Sequence, residues 1–156
     1  MIIRFVQGTN LNSKLIVMQS KTAMPFTPSH VEALTPDGFL LGAHFASGVQ
    51  KRKPGYDNAH TAHELFIELD ATADQNKLFY EFLESKIGEP YDWRAIFGFL
   101  LPAHEHTMNH AICSALITLA LRQCRWFQFV LASPAHLISP RDLLLMVSSR
   151  MLVPMG

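Results

Sequence analysis

Two cysteines and eight histidines in a chain of 156 residues are the side chains best suited to nucleophilic or metal chemistry. Cys113 stands in "HAICSALITLALRQC", directly after a histidine-rich loop and at the head of an apolar helical run. The thiolate is the reactive form of cysteine, and both a helix N-terminus and a neighbouring imidazolium favour it. With Asn109 as the cap, Cys113 falls in the first turn. Its backbone N–H then lies among the free donors that can hold an oxyanion. Cys124 falls at the other end of the same helix, where the dipole opposes a thiolate. The two thiols would be about 16 Å apart along that helix, whereas a disulfide tolerates about 7 Å between Cα atoms. A buried cysteine acting as a small hydrophobe fits the same position, so a second reactive group has to be found.

The hairpin around "LTPDGF" supplies one. Pro36 suits the second position of a type I turn, and Gly38 the left-handed residue of a three-residue bulged connection. That register pairs Thr35 with Phe39, Glu32 with Gly42 and His30 with His44. Directly opposed residues share a face, so Val31, Ala33, Phe39, Leu41 and Ala43 point to a core. His30, Glu32, Gly42 and His44 share the other side. A one-residue slip would separate the histidines. A half-exposed sheet with polar residues in water fits the same pattern.

Two further histidine clusters invite a metal reading. "HEHTMNH" brings His104, His106 and His110 together, and "HTAHE" places His60, His63 and Glu64 in one short stretch. The second lacks the partner histidine of a His-Glu-x-x-His helix. Neither has a cysteine at ligand spacing, and zinc takes three or four ligands in fixed geometry. Polar loops are the plainer reading, and the sequence implies neither a metal nor a cofactor. His110, close before Cys113, is instead placed to line a cleft or to support a thiolate.

The elements that must position these residues are of mixed order. "MIIRFVQGTN" reads as a first strand and lacks the charge, long apolar run and cleavage site of a signal peptide. "NLNSKLIVMQSK" reads as a short helix with Leu11, Leu15, Ile16 and Met18 inward, ended by the prolines of "TAMPFTP". "SHVEAL", "FLLGAH", "GVQKR" and "ELFIELD" read as strands. "TADQNKLFYEFLESKIG" is the clearest helix, capped by Thr72 or Asp74 and ended by Gly88. Its apolar stripe is Leu78, Phe79, Phe82, Leu83 and Ile87. "DWRAIFGFLL" and residues 110–124 follow as helices. "SPRDLLLMVSS" starts a last one with a serine cap and Pro140 at the first helical position. This order predicts an α+β fold with an antiparallel sheet packed against helices, as a single domain over residues 1–156.

Hydrophobic residues make up 49% and charged ones 17%, and thirteen basic residues balance thirteen acidic ones. That composition fits a filled core and gives no electrostatic footprint for nucleic acid or a membrane surface. The "KRK" run at Lys51 to Lys53 reads as a solvated strand end. No stretch approaches the ~20 apolar residues of a membrane span.

Taken in order, these pieces resemble the NlpC-type, papain-like cysteine hydrolases in their circularly permuted branch, where the histidine strand precedes the cysteine helix. "SHVEAL" is similar to the family's Ser-His-Val strand and "DGFLLGAHFASGV" to the strand after it. "IGEPYDW" is similar to the Gly-x-Pro-Tyr-Asp segment, "CSALITLAL" to the nucleophile helix, and "SPRDLLL" to the closing Ser/Thr-Pro-x-Asp segment. The resemblance implies a permuted papain-like fold with Cys113 as nucleophile and His30 as its base. The orienting third residue would stand at Gly42, which has no side chain. His44 is the first substitute on that face and Glu32 the next. Tyr91 and Asp92 match the family's segment and are expected at the site or as helix caps. The implied reaction is hydrolysis of an amide, as in peptidoglycan stem peptides, or of an acyl ester, through a thioester and without a cofactor. A peptide or acyl compound would be the partner, and the absent signal peptide implies action in the cytoplasm or delivery by a phage particle or secretion system. The glycine at position 42 leaves open an inactive papain-like module that binds cell-wall fragments or forms part of a larger assembly such as a phage particle. The apolar C-terminal "SSRMLVPMG" fits such docking, and equally a tail packed on its own core.

Overall fold

A computed structural model describes residues 1–9, 26–44, 47–88, 108–127 and 134–149, with the side chains of 108–112 and of His136 excepted. Five strands form one antiparallel sheet: β1 Ile2–Gly8, β2 His30–Leu34, β3 Leu40–His44, β4 Gly48–Arg52 and β5 Thr61–Glu68, in the order β4-β3-β2-β1-β5. Among the described residues, three α-helices accompany it: α1 Ala73–Ser85, α2 Met108–Gln123 and α3 Pro140–Ser148. The α+β class and the antiparallel sheet agree with the order of elements read from the sequence. Among the described residues, no helix is long and apolar enough to cross a membrane.

The β2–β3 turn fixes the register. Gly38 takes φ +82°, and its N–H donates to the Thr35 carbonyl at 2.9 Å. The Thr35 N–H donates to the Phe39 carbonyl at 2.8 Å, closing the bulged connection that Pro36 and Gly38 favour. The ladder then pairs Leu34 with Leu40 and Ala33 with Leu41. Continued back, the same register sets Glu32 opposite Gly42. On β1, Arg4 pairs with Glu32 and Val6 with His30.

Strand alternation now sorts the side chains. Ile3, Phe5, Val31, Ala33, Leu41 and Ala43 join a buried apolar cluster with Phe79 and Leu83 of α1, Ile117 and Leu121 of α2, and Leu143 and Val147 of α3. Phe39, expected inward, is only partly buried and lies under the Lys51 ammonium. Each fully buried large apolar side chain contributes about 1.5–3 kcal/mol, so this cluster stabilises the fold without help from the polar residues opposite.

The helices begin where their caps predict, with one exception. Thr72 caps α1 through a reciprocal box with Gln75, and Gly88 follows at φ +79°. Ser139 and Asp142 form the same box at α3, with Pro140 in the first turn. On α1, Phe79 and Leu83 are buried and Phe82 partly so, but Leu78 is exposed, as is Ile87 in the turn past the helix end, so the buried stripe is narrower than the periodicity suggested. The exception is α2. It begins at Met108, so Asn109 lies inside the helix and not at its cap. Cys113 is therefore the sixth helical residue, beyond the turn whose donors are free. Helix geometry directs its N–H to the carbonyl one turn back, which removes the oxyanion donor expected there.

The expected helix in 10–22 and the "DWRAIFGFLL" helix lie outside the described residues. So do Tyr91, Asp92, His104 and His106, and the tail beyond Ser149. His110 is in α2, and its side chain is likewise outside the description.

Candidate functional site

On the face of the sheet opposite Ile3 and Phe5, the chain buries a carboxylate. Glu32 has no exposed surface, and an ionised carboxylate survives there only if paired. The pairing comes first from its neighbour on β1. Arg4, 2% exposed, donates from Nη1 to Glu32 Oε1 at 2.5 Å. The same guanidinium grips both oxygens of Asp57 at 3.1 Å each and donates from Nε to Glu64 Oε2 at 2.7 Å. Glu64 stands opposite Val6 on β5, diagonal to Arg4, which brings it within reach. Asp57 belongs to the β4–β5 connection, and so does Tyr56, whose hydroxyl donates to Glu32 Oε2 at 3.2 Å.

The second oxygen of Glu32 faces both histidines. His30 Nε2 lies 3.6 Å from Glu32 Oε2 and His44 Nε2 4.0 Å from it. The imidazole rings are 5.1 Å apart between centroids, and the His44 ring meets Tyr56 edge-on at 5.4 Å. The two histidines thus stand together on one face, as the hairpin register requires. The polar face is not a solvated one: His30 is 22% and His44 12% exposed.

Gly42 explains how Glu32 fits. A Cβ built on Gly42 would lie 2.7 Å from the Cβ of Glu32, closer than real Cβ contacts come. The glycine opposite lets the Glu32 stem lean across β3, where any other residue would displace it.

Cys113 completes the arrangement. It is 3% exposed and belongs to the apolar cluster of the core, yet its side chain is also a hydrogen-bond and charge partner of His30. His30 therefore has Cys113 and Glu32 as its two partners. Burial works to lower its pKa, but Cys113 first and Glu32 second raise it well above the ordinary imidazole value, to about 10. Burial works to raise the Glu32 pKa, and His30 and Arg4 reverse this and hold it at about 2. His44 goes the other way. Burial, the His30 charge and Arg52 bring it down to about 4. The two imidazoles are thus pushed in opposite directions, His30 toward its charged form and His44 toward its neutral one. Beside Cys113, Ser114 is fully buried and donates to the Ile138 carbonyl at 2.5 Å, tying α2 to the segment before α3. Cys124 is buried at the far end of the helix, where burial raises its pKa, and its thiol donates to the Leu121 carbonyl.

Among the residues singled out from sequence, the structure thus brings together His30, Glu32, His44 and Cys113. Arg4, Tyr56 and Asp57 were missed. A lone arginine inside "IIRFV" was the available signal, since alternation puts it on the face of Glu32 and not of Ile3 and Phe5. The buried ion pair is a costly way to stabilise a sheet: apolar replacement of such pairs is often neutral or favourable by about 1–4 kcal/mol. Its evident consequence is to fix Glu32 Oε2 toward the histidines. His60 and His63 lie on exposed ground at the start of β5.

No family model matches the chain, and no curated protein or solved structure matches it.

Proposed function

We propose that the protein is a cysteine hydrolase in which Cys113 is the nucleophile, His30 the proton carrier and Glu32 the group that orients His30. The observation carrying this reading is that one imidazole has both a cysteine of α2 and a buried, clamped carboxylate of β2 as partners. Nucleophile, base and orienting group in a row is the arrangement thiol hydrolases need. In this reading Glu32 takes the place that the resemblance assigns to position 42, and His44 is a neutral neighbour.

The chemistry runs as follows. With the proton of the Cys113 thiol on His30, the sulfur attacks the carbonyl carbon of an amide or acyl ester. The C–N or C–O bond breaks, and His30 gives its proton to the departing amine or alcohol. The acyl group is left on Cys113 as a thioester. Neutral His30 then takes a proton from water, the hydroxide attacks the thioester carbon, and the C–S bond breaks to release the acid. The resemblance to permuted papain-like proteins, through the segments from "SHVEAL" to "SPRDLLL", favours stem-peptide amides or acyl esters as substrates. No metal or redox group is required for these steps.

A second reading has its own support. Cys113 is almost fully buried, and its N–H lies past the first turn of α2. Both features fit a papain-like module that keeps the pair and binds a partner without turnover. One experiment separates the two: incubation with a panel of p-nitrophenyl acyl esters and peptide p-nitroanilides, followed by intact-mass and peptide analysis. The hydrolase reading predicts an acyl adduct on Cys113 and product release, both absent in Cys113→Ala. No adduct and no product across the panel supports the binding module.

A further inference from the structure

Two buried nitrogens at this site are left without hydrogen bonds. His30 Nε2 and His44 Nε2 have no hydrogen-bond partner among the described residues, and both approach Glu32 Oε2, at 3.6 and 4.0 Å. The three side chains offer ligand atoms within 4.8 Å of one another. Buried polar atoms are ordinarily satisfied, and each exception calls for a reason. Zinc binds imidazole nitrogen and carboxylate oxygen at about 2.0–2.2 Å, which places neighbouring ligands of a tetrahedron roughly 3.3–3.5 Å apart. The two histidine-to-carboxylate distances need to contract by about half an ångström, and the two imidazole nitrogens, within 4.8 Å of each other, must close by up to about 1.4 Å to reach that. The surrounding charge favours a cation as well. Arg4 and Arg52 bring two positive charges against the three negative charges of Glu32, Asp57 and Glu64. These are not the clusters at His60 or His104 that the sequence makes conspicuous.

We propose that His30 Nε2, His44 Nε2 and Glu32 Oε2 form a site for one zinc ion, and that the bound ion blocks Cys113 chemistry by taking His30 and Glu32 for itself. The site rests on geometry alone, while the blocking step rests on the hydrolase reading above. Binding displaces the His30 proton, as metal binding to imidazole must. The fourth position stays open to water, an arrangement zinc accepts outside purely structural sites.

The test uses the full chain, stripped by chelator and titrated with zinc chloride in a calorimeter. One ion per chain is expected in the wild type, in Cys113→Ser and in the double variant His60→Ala/His63→Ala. His44→Ala and Glu32→Gln should each weaken binding about tenfold or more, as even outer-shell changes do at metal sites. Tetrahedral cobalt(II) absorption on the unmutated chain provides a readout that no folding defect can mimic. Absence of saturable zinc binding, or equal binding by a folded His44→Ala protein, overturns the site. Loss confined to Cys113→Ser or to the His60/His63 variant does the same. Zinc should also slow iodoacetamide alkylation of Cys113 in the wild type and not in His44→Ala; binding without that protection overturns the block alone. None of these measurements needs turnover, so a silent substrate panel leaves the metal result standing on its own.

Discussion

Glu32 and Gly42 face each other across β2 and β3 so closely that a methyl on the glycine would lie 2.7 Å from the Glu32 Cβ. A missing side chain on one strand is thus the space into which a carboxylate on the next strand leans. The carboxylate beside His30 comes from its own strand, two residues on, and not from the strand opposite.

Gly42→Ala tests this directly. The new methyl must push Glu32 or its strand, and overpacking of a filled site costs about 1–3 kcal/mol. Urea denaturation should show that loss, together with slower alkylation of Cys113. Wild-type stability with unchanged reactivity would mean that the strands separate freely and Glu32 is not held by the glycine.

Arg4→Met leaves the fully buried Glu32 with the His30 imidazole as its remaining cationic partner, and breaking a buried pair costs up to about 3–5 kcal/mol. Arg4→Met/Glu32→Leu should recover part of that loss, because the fully buried carboxylate is gone, while Asp57 and Glu64, which also lose Arg4, are partly exposed. Both are read as unfolding midpoints. A double variant no more stable than the single one would contradict the charge-pairing account.

The pH dependence separates the histidines. His44 is held near 4 against an ordinary 6.5, so the unfolded chain takes up its proton first. Stability contributed by neutral His44 is present above pH 6.5 and is lost as the pH falls toward 4, by on the order of 3 kcal/mol. His30 is raised, so its contribution is complete below pH 6.5 and fades as the pH climbs through about 10. Glu32 adds an acid limb below pH 4.5, ending near 2. In metal-free buffer, His44→Asn should flatten the stretch from pH 6.5 to 4.5 and leave the lower limb intact. An unchanged slope in that stretch would assign it to another group.

Much of this geometry was legible from the sequence where chemistry is local. "TPDG" fixes the hairpin connection, and with it which residues share a face with His30. The caps at Thr72 and Ser139 show their own hydrogen-bonding logic. What was not legible depends on contacts between distant segments. Periodicity finds the stripe of α1 but not its width, so Leu78 and Ile87 were placed inside although little packs over them. Asn109 is a good cap by type, yet α2 starts before it, because helix ends are set by backbone context as much as by one side chain. Alternation puts His44 and Glu32 on one face with His30, but only their reach decides which approaches Nε2. The clamp from Arg4 to Asp57 joins residues 53 positions apart, and no local pattern announces it.

The most direct test of the central claim is the rate of iodoacetamide alkylation at each cysteine at neutral pH, in metal-free wild-type and His30→Ala protein, followed by peptide mass analysis. The account predicts that Cys113 reacts faster than a free model thiol despite its burial, that Cys124 is protected, and that His30→Ala removes the Cys113 advantage. If Cys113 is as slow as Cys124, or reacts equally with His30 gone, the cysteine is a core side chain and the proposed chemistry fails.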